Sequence, residues 1–264
     1  MRQDEDFLRE LDLWPLFKLQ QAHNLAVTPT PSNKNAWEAI THLTESPPLG
    51  KTSASKPIKQ ILPATSCVTD SIRSQHIATL DWEELRKEAT SCQACNLCKQ
   101  RKQAVLGVGA LDAPWLLVGE GPGADEDRVG EPFVGQAGKL LDAMLAALSL
   151  KRGREVYIAN VVKCRPPGNR TPTLEEANAC APFLDRQIDL IQPRLILALG
   201  KTAVTRLTGS DASMAQQRGK IHRYRSIPVV ATYHPAYLLR NLPDKAKAWE
   251  DLLFARRIFT TSGT

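Results

Sequence analysis

Short apolar runs alternate along the chain with longer stretches in which apolar residues recur at helical spacing. The apolar runs are 115–118, 156–158, 195–199 and 229–231, and the helical stretches are 140–148, 174–191 and 202–207. Alternation of this kind is typical of a parallel sheet covered by helices on both faces, with its site where strands end and loops begin. The pattern predicts an α/β fold: a single three-layer α/β/α domain with a central, mainly parallel sheet.

The first 80 residues follow a different pattern. Four apolar residues between positions 7 and 14 lie at helical spacing, but a proline follows at once, which predicts a short helical docking segment over residues 1–26. From 27 to 75 the composition shifts to Pro, Ser, Thr and Lys, which favours a flexible, disordered linker. Asp81 is a suitable N-cap for the first helix of the folded part. The domain is therefore expected to span residues 76–264.

Charge and composition exclude only a few classes of function. The chain has 264 residues, a net charge of +6 and a pI near 9.0, which is compatible with a nucleic-acid partner and equally with none. No apolar run approaches the roughly 18 residues of a membrane span, and the charged start of the chain lacks the apolar core of a secretory signal. We therefore expect no membrane partner and a reducing compartment. Basic residues flank the motifs described below, at Lys99, Arg101, Lys102, Lys163, Arg165, Arg170, Arg218, Lys220, Arg223 and Arg225.

Cysteines in a reducing compartment are not expected to form disulfides. Cys92 and Cys95 form a C-x-x-C pair, and Cys164 and Cys180 follow at a distance that a folded segment can close, as in a metal site. Unrelated buried thiols are the alternative, and composition alone does not choose zinc over an iron–sulfur cluster. Cys98 is a fifth candidate.

Two loops after the first apolar run carry chemistry. Residues 119–123 read Gly-Glu-Gly-Pro-Gly and precede an acidic stretch, which fits neither a Walker loop nor a dinucleotide fingerprint. A backbone cradle beside carboxylates suits a neutral base or a water better than a phosphate, although a tight turn alone also accounts for the glycines. Phe133 lies in a rigid loop just before a helix, where it can stack on a base or belong to the core.

Two polar residues follow later strands. Asn160 offers a donor and an acceptor together, which matches the amide edge of a base, while a structural cap of a turn is the alternative. His234 stands before a proline at a strand exit and is followed by Tyr237, Leu238, Leu239 and Arg240. Apolar side chains next to an arginine are suited to wedging a duplex and holding a phosphate. A single histidine, however, is more often structural than catalytic.

Taken together, four segments in this order resemble the family 4 uracil-DNA glycosylases over about residues 85 to 260. They are 119–123, 130–138 (Gly-Glu-Pro-Phe-Val-Gly-Gln-Ala-Gly), 160–170 (Asn-Val-Val-Lys-Cys-Arg-Pro-Pro-Gly-Asn-Arg) and 234–240 (His-Pro-Ala-Tyr-Leu-Leu-Arg). The resemblance implies a DNA repair enzyme that flips uracil out of DNA and hydrolyses its N-glycosidic bond, leaving an abasic site that starts base excision repair. Single-stranded or double-stranded DNA containing uracil is the expected partner.

The resemblance also implies roles for residues of the pocket. Phe133 would stack on the flipped uracil, Asn160 would read its polar edge, and His234 with the Gly121 N–H would support the uracil O2 as it gains negative charge. Glu120 is the first choice for a catalytic carboxylate near the sugar. Glu126 matches a position that excludes the thymine methyl group, and the neighbouring Asp127 is a weaker candidate base. Glu120, Asn160 and His234 are thus the expected catalytic residues.

In the family that the chain resembles, four cysteines hold a structural [4Fe–4S] cluster. The matching positions are Cys92, Cys95, Cys164 and Cys180, whereas Cys98 matches no ligand. The cluster would brace the loop from Arg165 to Arg170 against DNA, without redox turnover. The residues expected to contact DNA are Arg165, Arg170, Arg218, Lys220, Tyr237, Leu238, Leu239 and Arg240.

Two other functions compete with the glycosylase. One is a non-catalytic nucleic-acid-binding module with the same fold and cluster, which would bind DNA without releasing a base. The other is a zinc-stabilised nucleotide hydrolase, against which the lack of a His/Asp cluster at the pocket motifs counts. An inserted basic loop with a histidine that traps DNA, found in a sister group, is missing here, so turnover is expected. We further expect a cytoplasmic, nucleoid-associated monomer whose N-terminal segment contacts a repair or replication protein.

Overall fold

The computed structural model describes residues 64–261, with side chains from residue 71 onward, and within this part six strands form one sheet. The strands are β1 (Val108–Gly109), β2 (Trp115–Gly119), β3 (Val156–Asn160), β4 (Leu195–Leu199), β5 (Ile221–Tyr224) and β6 (Ile227–Thr232). Their order is β1-β3-β2-β4-β6-β5, with the four central strands parallel and both edge strands antiparallel. The predicted α/β fold with a mainly parallel sheet is confirmed.

Helices connect the strands and cover the sheet. In chain order they are α1 (Ala64–Thr79), α2 (Trp82–Ser91), α3 (Ala124–Val129), α4 (Gln136–Ala147), α5 (Leu174–Ile191), α6 (Lys201–Thr208), α7 (Met214–Gln217), α8 (Pro235–Leu238) and α9 (Asp244–Thr261). Short 3-10 turns occur at Asn96–Lys99 and Pro167–Asn169. Over residues 64–261, every helix falls short of the length or the apolar character that spanning a bilayer demands.

The sheet separates two hydrophobic cores. On β2, Leu116 and Val118 belong to the core shared with α1, α2, α5 and α6. Trp115 and Leu117 point to the opposite face and pack with α4, α8 and α9. Successive side chains of a strand alternate between faces, so a strand with both faces covered is apolar throughout. This arrangement is the reason that the central strands appear in the sequence as continuous apolar runs.

Helix α2 begins where the sequence predicts. Asp81 Oδ1 accepts a hydrogen bond from Glu84 N at 2.9 Å, and Asp81 N donates to Glu84 Oε2 at 3.0 Å. This reciprocal pair is a capping box, which satisfies two backbone donors at the start of the helix.

Helix α1 corrects the predicted linker. The composition of residues 27–75 predicts disorder, yet residues 64–75 are helical. The helix is held by its tertiary contacts, because Ile77 is fully buried and Arg73 donates to Ala179 O of α5 at 2.8 Å. Because the segment is rich in polar residues, its composition does not reveal that a few of its side chains hold it against the fold. The predicted docking segment at 1–26 and the remainder of the linker lie outside the described residues.

Candidate active site

A cavity of about 460 Å³ opens where β2, β3 and β6 reach their carboxyl ends. Parallel strands place their carboxyl ends at one edge of the sheet, which is where open α/β folds bind ligands. The weaker candidate base Asp127 does not line this cavity, whereas six of the residues predicted for base binding and catalysis do: Glu120, Gly121, Glu126, Phe133, Asn160 and His234. The structure thus brings together residues that lie up to 114 positions apart in the sequence.

Asn160 ends β3, with its side chain 2% exposed and with Oδ1 lacking a hydrogen-bond partner among the described residues. Leaving a buried acceptor unpaired costs about 1–3 kcal/mol. The space beside it is kept open by Gly119, where a Cβ atom would lie 2.5 Å from Asn160 Oδ1 and 2.7 Å from Phe133 Cζ. The position therefore offers an acceptor to a ligand that carries an N–H group.

Phe133 and His234 form an aromatic wall of the cavity. Their ring centroids are 5.4 Å apart with an interplanar angle of 29°. Phe133 is 5% exposed and has a φ of 55°, a left-handed conformation that bulky residues rarely adopt. An aromatic face beside an amide acceptor matches what a planar, polar-edged base requires.

His234 is the N-cap of α8, and its Nδ1 accepts a hydrogen bond from Ala236 N at 3.2 Å. Burial lowers the pKa of His234 to about 4, and the positive charge of Arg240 acts in the same direction. The imidazole is therefore neutral at pH 7, with its hydrogen on Nε2 because Nδ1 acts as the acceptor. Gly200, at a φ of +88°, permits the close approach of His234, since a Cβ there would lie 2.9 Å from His234 Cβ.

The three candidate carboxylates have different environments. Glu120 lines the cavity, and its Oε2 accepts a hydrogen bond from Thr202 Oγ1 at the start of α6. Asp127 is 2% exposed and accepts from Lys102 N at 2.9 Å, so it is committed to the fold. Glu126 accepts from three backbone N–H groups, those of Gly123, Val134 and Gly135. Of the three carboxylates, Glu120 thus accepts the fewest hydrogen bonds from the rest of the fold.

Four of the eight predicted DNA-contacting residues lie at or beside the cavity. Arg170, Tyr237 and Arg240 line it, and Arg165 donates from Nε to Asn169 Oδ1 at 2.8 Å beside it. Arg170 also forms two hydrogen bonds with Glu176, at 2.8 and 2.7 Å. Leu239 is 41% exposed and Lys220 is exposed.

Two of the side chains predicted to contact DNA point into the fold in this structure. Leu238 is 1% exposed and packs in the core with α4 and α9, because the turn of α8 directs it inward. The Arg218 side chain is 13% exposed, with Nε 2.6 Å from Asp251 Oδ2 and the guanidinium 5.0 Å above the Tyr233 ring. A buried carboxylate requires a cation, which accounts for the inward position of Arg218.

A second cavity, on another part of the protein, is lined by Cys92, Cys95, Cys98, Cys164 and Cys180. N–H groups contact three of the sulfurs: Arg73 Nη2 with Cys92 at 3.4 Å, Arg101 Nη1 with Cys164 at 2.8 Å, and Lys163 N with Cys180 at 3.2 Å. Burial raises the pKa of Cys95 and Cys164, and raises that of Cys180 to about 12. Thiols with raised pKa values are protonated at neutral pH and release the proton when they bind a metal.

The cysteines do not form a single-ion site. Within residues 64–261 no three His, Cys, Asp or Glu side chains are placed to hold one metal ion. A four-iron cluster does not require several side chains to meet at one metal ion, since each thiolate binds a separate iron. The chemistry of this donor set, with sulfur ligands and N–H groups directed at them, fits an iron–sulfur cluster.

Lys163 is a residue whose role the sequence did not reveal. It is 1% exposed, and its Nζ donates to Asn160 O at 2.7 Å and to Gln187 Oε1 at 2.6 Å. Burial lowers its pKa to about 8. Lys163 therefore links the end of β3 to Gln187 of α5, whereas the sequence grouped it with the basic residues that flank the motifs. The pattern of residue types in the sequence does not indicate that this side chain points into the protein.

Comparison with known proteins places the chain among base-excising enzymes. The family model described as uracil DNA glycosylase superfamily matches residues 106–253. The type-4 uracil-DNA glycosylase of Thermotoga maritima is 43% identical over 185 residues, covering 69% of this chain and 96% of that protein. The type-4 enzyme of Pyrobaculum aerophilum is 42% identical over 181 residues, covering 66% and 92%. The type-5 uracil-DNA glycosylase of the same organism is 35% identical over 150 residues, covering 50% and 66%.

Proposed function

The chain belongs to the uracil DNA glycosylase superfamily and to its type-4 members, and from this we propose that it flips uracil out of DNA and hydrolyses the N-glycosidic bond. The observation that carries the proposal is the unpaired Oδ1 of Asn160 beside the aromatic wall. Uracil carries a hydrogen on N3 that satisfies this acceptor. Cytosine has a lone pair on N3 and would leave the acceptor unpaired, which is costly in a buried site.

Charge stabilisation is the main contribution of the pocket to the reaction. The bond between N1 and the sugar C1′ breaks, water adds to C1′, and uracil departs as an anion that later takes up a proton. The Nε2–H of neutral His234 and the Gly121 N–H stabilise the charge on the uracil O2. With a pKa near 4, His234 donates a hydrogen bond without transferring its proton at pH 7.

Glu120 acts on the sugar side. Thr202 holds one oxygen of its carboxylate, which leaves the other to orient water and offset the positive charge that develops at C1′. Glu126 shapes the pocket by fixing the loop that carries Phe133, and in this position it excludes the methyl group of thymine. Asp127 has no part in this scheme.

Cys92, Cys95, Cys164 and Cys180 hold a [4Fe–4S] cluster in this proposal. The convergence of these cysteines on one cavity and the N–H groups directed at the sulfurs support it. When bound, the cluster would cross-link α2, the segment after β3 and α5, and hydrolysis would need no redox step from it. Through Cys164 it would fix the start of the Arg165 to Arg170 loop beside the cavity. Cys98 stays outside the ligand set.

DNA reaches the cavity along its basic and apolar border. We assign the contacts to Arg165, Arg170, Lys220, Tyr237, Leu239 and Arg240, without Leu238 and Arg218. We further propose that the enzyme acts as a monomer at the nucleoid in the cytoplasm. Its N-terminal segment is assigned to a contact with a repair or replication protein.

Release of uracil from a single-uracil oligonucleotide tests the function. Alkali cleaves the abasic product, and oligonucleotides with thymine or cytosine at the same position serve as controls. Cleavage at uracil alone is expected, and Asn160→Ala should abolish most of it. Tight binding of the uracil strand without an abasic site would instead establish the non-catalytic binding module.

A further inference from the structure

Arg152 contacts the pocket loop from outside every motif found in the sequence. It lies between α4 and β3, and its side chain is 20% exposed. Nη1 donates to Pro132 O at 2.8 Å and Nη2 donates to Phe133 O at 2.9 Å. The other side of the guanidinium is held by Asp142 of α4, whose Oδ1 accepts from Nε at 3.0 Å and from Nη2 at 2.9 Å.

The carbonyl groups that Arg152 holds belong to a strained turn. Phe133 has a φ of 55°, a conformation that persists only where the surroundings enforce it. The first turn of α4 presses on the same carbonyl, because a Cβ at Gly138 would lie 1.8 Å from Phe133 O. Phe133 O is thus fixed from one side by the backbone of α4 and from the other by a charged donor.

The direction of the Phe133 ring depends on this turn. In the left-handed conformation the ring stacks on His234 and borders the cavity. If the turn relaxed to a negative φ, the Cα–Cβ bond would point elsewhere and the stack would be lost. Two adjacent carbonyl groups bound by one planar guanidinium favour a single backbone conformation, since the fork geometry is rigid.

We infer that Arg152 is a positioning residue for base binding, which acts by holding Phe133 in the conformation that presents its ring to uracil. The inference rests on the proposed function and deepens it, because it identifies what prepares the stacking surface before the base arrives. Arg152 itself has no contact with the reacting atoms in this role.

Arg152→Met removes both carbonyl contacts and keeps much of the length of the side chain. Loss of a hydrogen bond from a charged donor changes the equilibrium between two conformations by about tenfold or more. We therefore expect kcat/KM for a single-uracil oligonucleotide to fall about tenfold, and inhibition by free uracil to weaken by about the same factor. Binding of a uracil-free duplex should stay unchanged, because the ring contacts only the flipped base.

A double-mutant cycle with Phe133→Ala distinguishes this role from a general loss of structure. In the Phe133→Ala protein there is no ring to position, so adding Arg152→Met should change kcat/KM by less than about twofold. If the two losses multiply, Arg152 acts independently of Phe133 and the inference is wrong. A wild-type protein that releases no uracil would refute the proposed function itself.

Three further variants control for folding. Arg154→Met removes a neighbouring arginine that is 73% exposed and lies 3.7 Å from Glu155, and it should behave as the wild type. Arg152→Lys keeps the charge but offers no fork, so it should restore only part of the activity. If Arg152→Met is insoluble, Asp142→Asn weakens the outer anchor, and its smaller loss must likewise vanish in the Phe133→Ala protein.

Discussion

Acid should destabilise the protein through His234. Burial lowers the pKa of this residue from 6.5 to about 4, so the unfolded chain binds a proton that the folded protein refuses. Protonation at Nδ1 would also oppose the N–H of Ala236, which donates to that atom. For a base with a depressed folded pKa, stability is complete above the unfolded pKa of 6.5 and is lost as the pH falls toward 4.

The magnitude follows from the two pKa values. Between pH 7.5 and 5.5, linkage gives a loss of about 1.3 kcal/mol in the free energy of unfolding from this one group. Staying at pH 5.5 or above limits acid damage to the proposed iron–sulfur cluster. Catalysis should respond differently, because His234 stays neutral in the folded enzyme over this interval. Its contribution to kcat should therefore be constant from pH 8 to about 5.5.

Denaturant unfolding at the two pH values, compared between the wild type and His234→Asn, measures the effect. Asparagine is a good N-cap and does not titrate, so it keeps the acceptor at the start of α8 while removing the proton site. The wild type should lose about 1.3 kcal/mol more than the variant between the two pH values. A parallel loss in both proteins would show that the fold does not depress the pKa of His234, and the expectation of a constant contribution to kcat down to about pH 5.5 would fall with it.

Four other perturbations test separate parts of the site. Asn160→Ala should lower uracil release about a hundredfold with duplex binding nearly unchanged, and an equal loss of binding would contradict its role. Thr202→Val should lower kcat about tenfold by freeing the Glu120 carboxylate, while Thr202→Ser should retain activity; equal activity of both variants would remove Thr202 from the mechanism. Cys164→Ser should lower bound iron and the brown absorbance, whereas Cys98→Ser should leave both unchanged, as measured by iron analysis and visible spectra. Arg218→Met should destabilise the protein by about 3 kcal/mol because it strands Asp251, yet the salt dependence of DNA binding should match the wild type, unlike that of Arg240→Met.

The central sheet could be predicted from the sequence because both of its faces are covered. The strand 195–199 is apolar at every position, and a short run of that kind is typical of a strand buried on both faces. The edge strand β5 shows alternating exposed and half-buried residues and carries several polar side chains, so it has no comparable signal. Helix α9 buries Ala248, Asp251, Leu252 and Ala255 at helical spacing, but a carboxylate in the stripe conceals the pattern.

The same carboxylate accounts for the inward position of Arg218, which the sequence did not indicate. A surface arginine and an arginine that neutralises a buried aspartate look alike in a sequence, because the partner Asp251 lies 33 positions away. The pocket itself could be predicted, since its residues sit in recognisable motifs at strand ends. Arg152, Thr202 and Lys163 could not, because what they do depends on where a side chain reaches in three dimensions.

The five residues from Asn160 to Cys164 have an evolutionary consequence. Asn160 is fixed in register opposite Gly119 of β2, Lys163 is anchored inward, and Cys164 belongs to the cysteine cavity. A single inserted or deleted residue would break at least one of these three attachments. Insertions and deletions among relatives should therefore occur in loops such as 209–213 and be absent from residues 160–164. This segment should then be the most reliable reference for aligning distant members of the family.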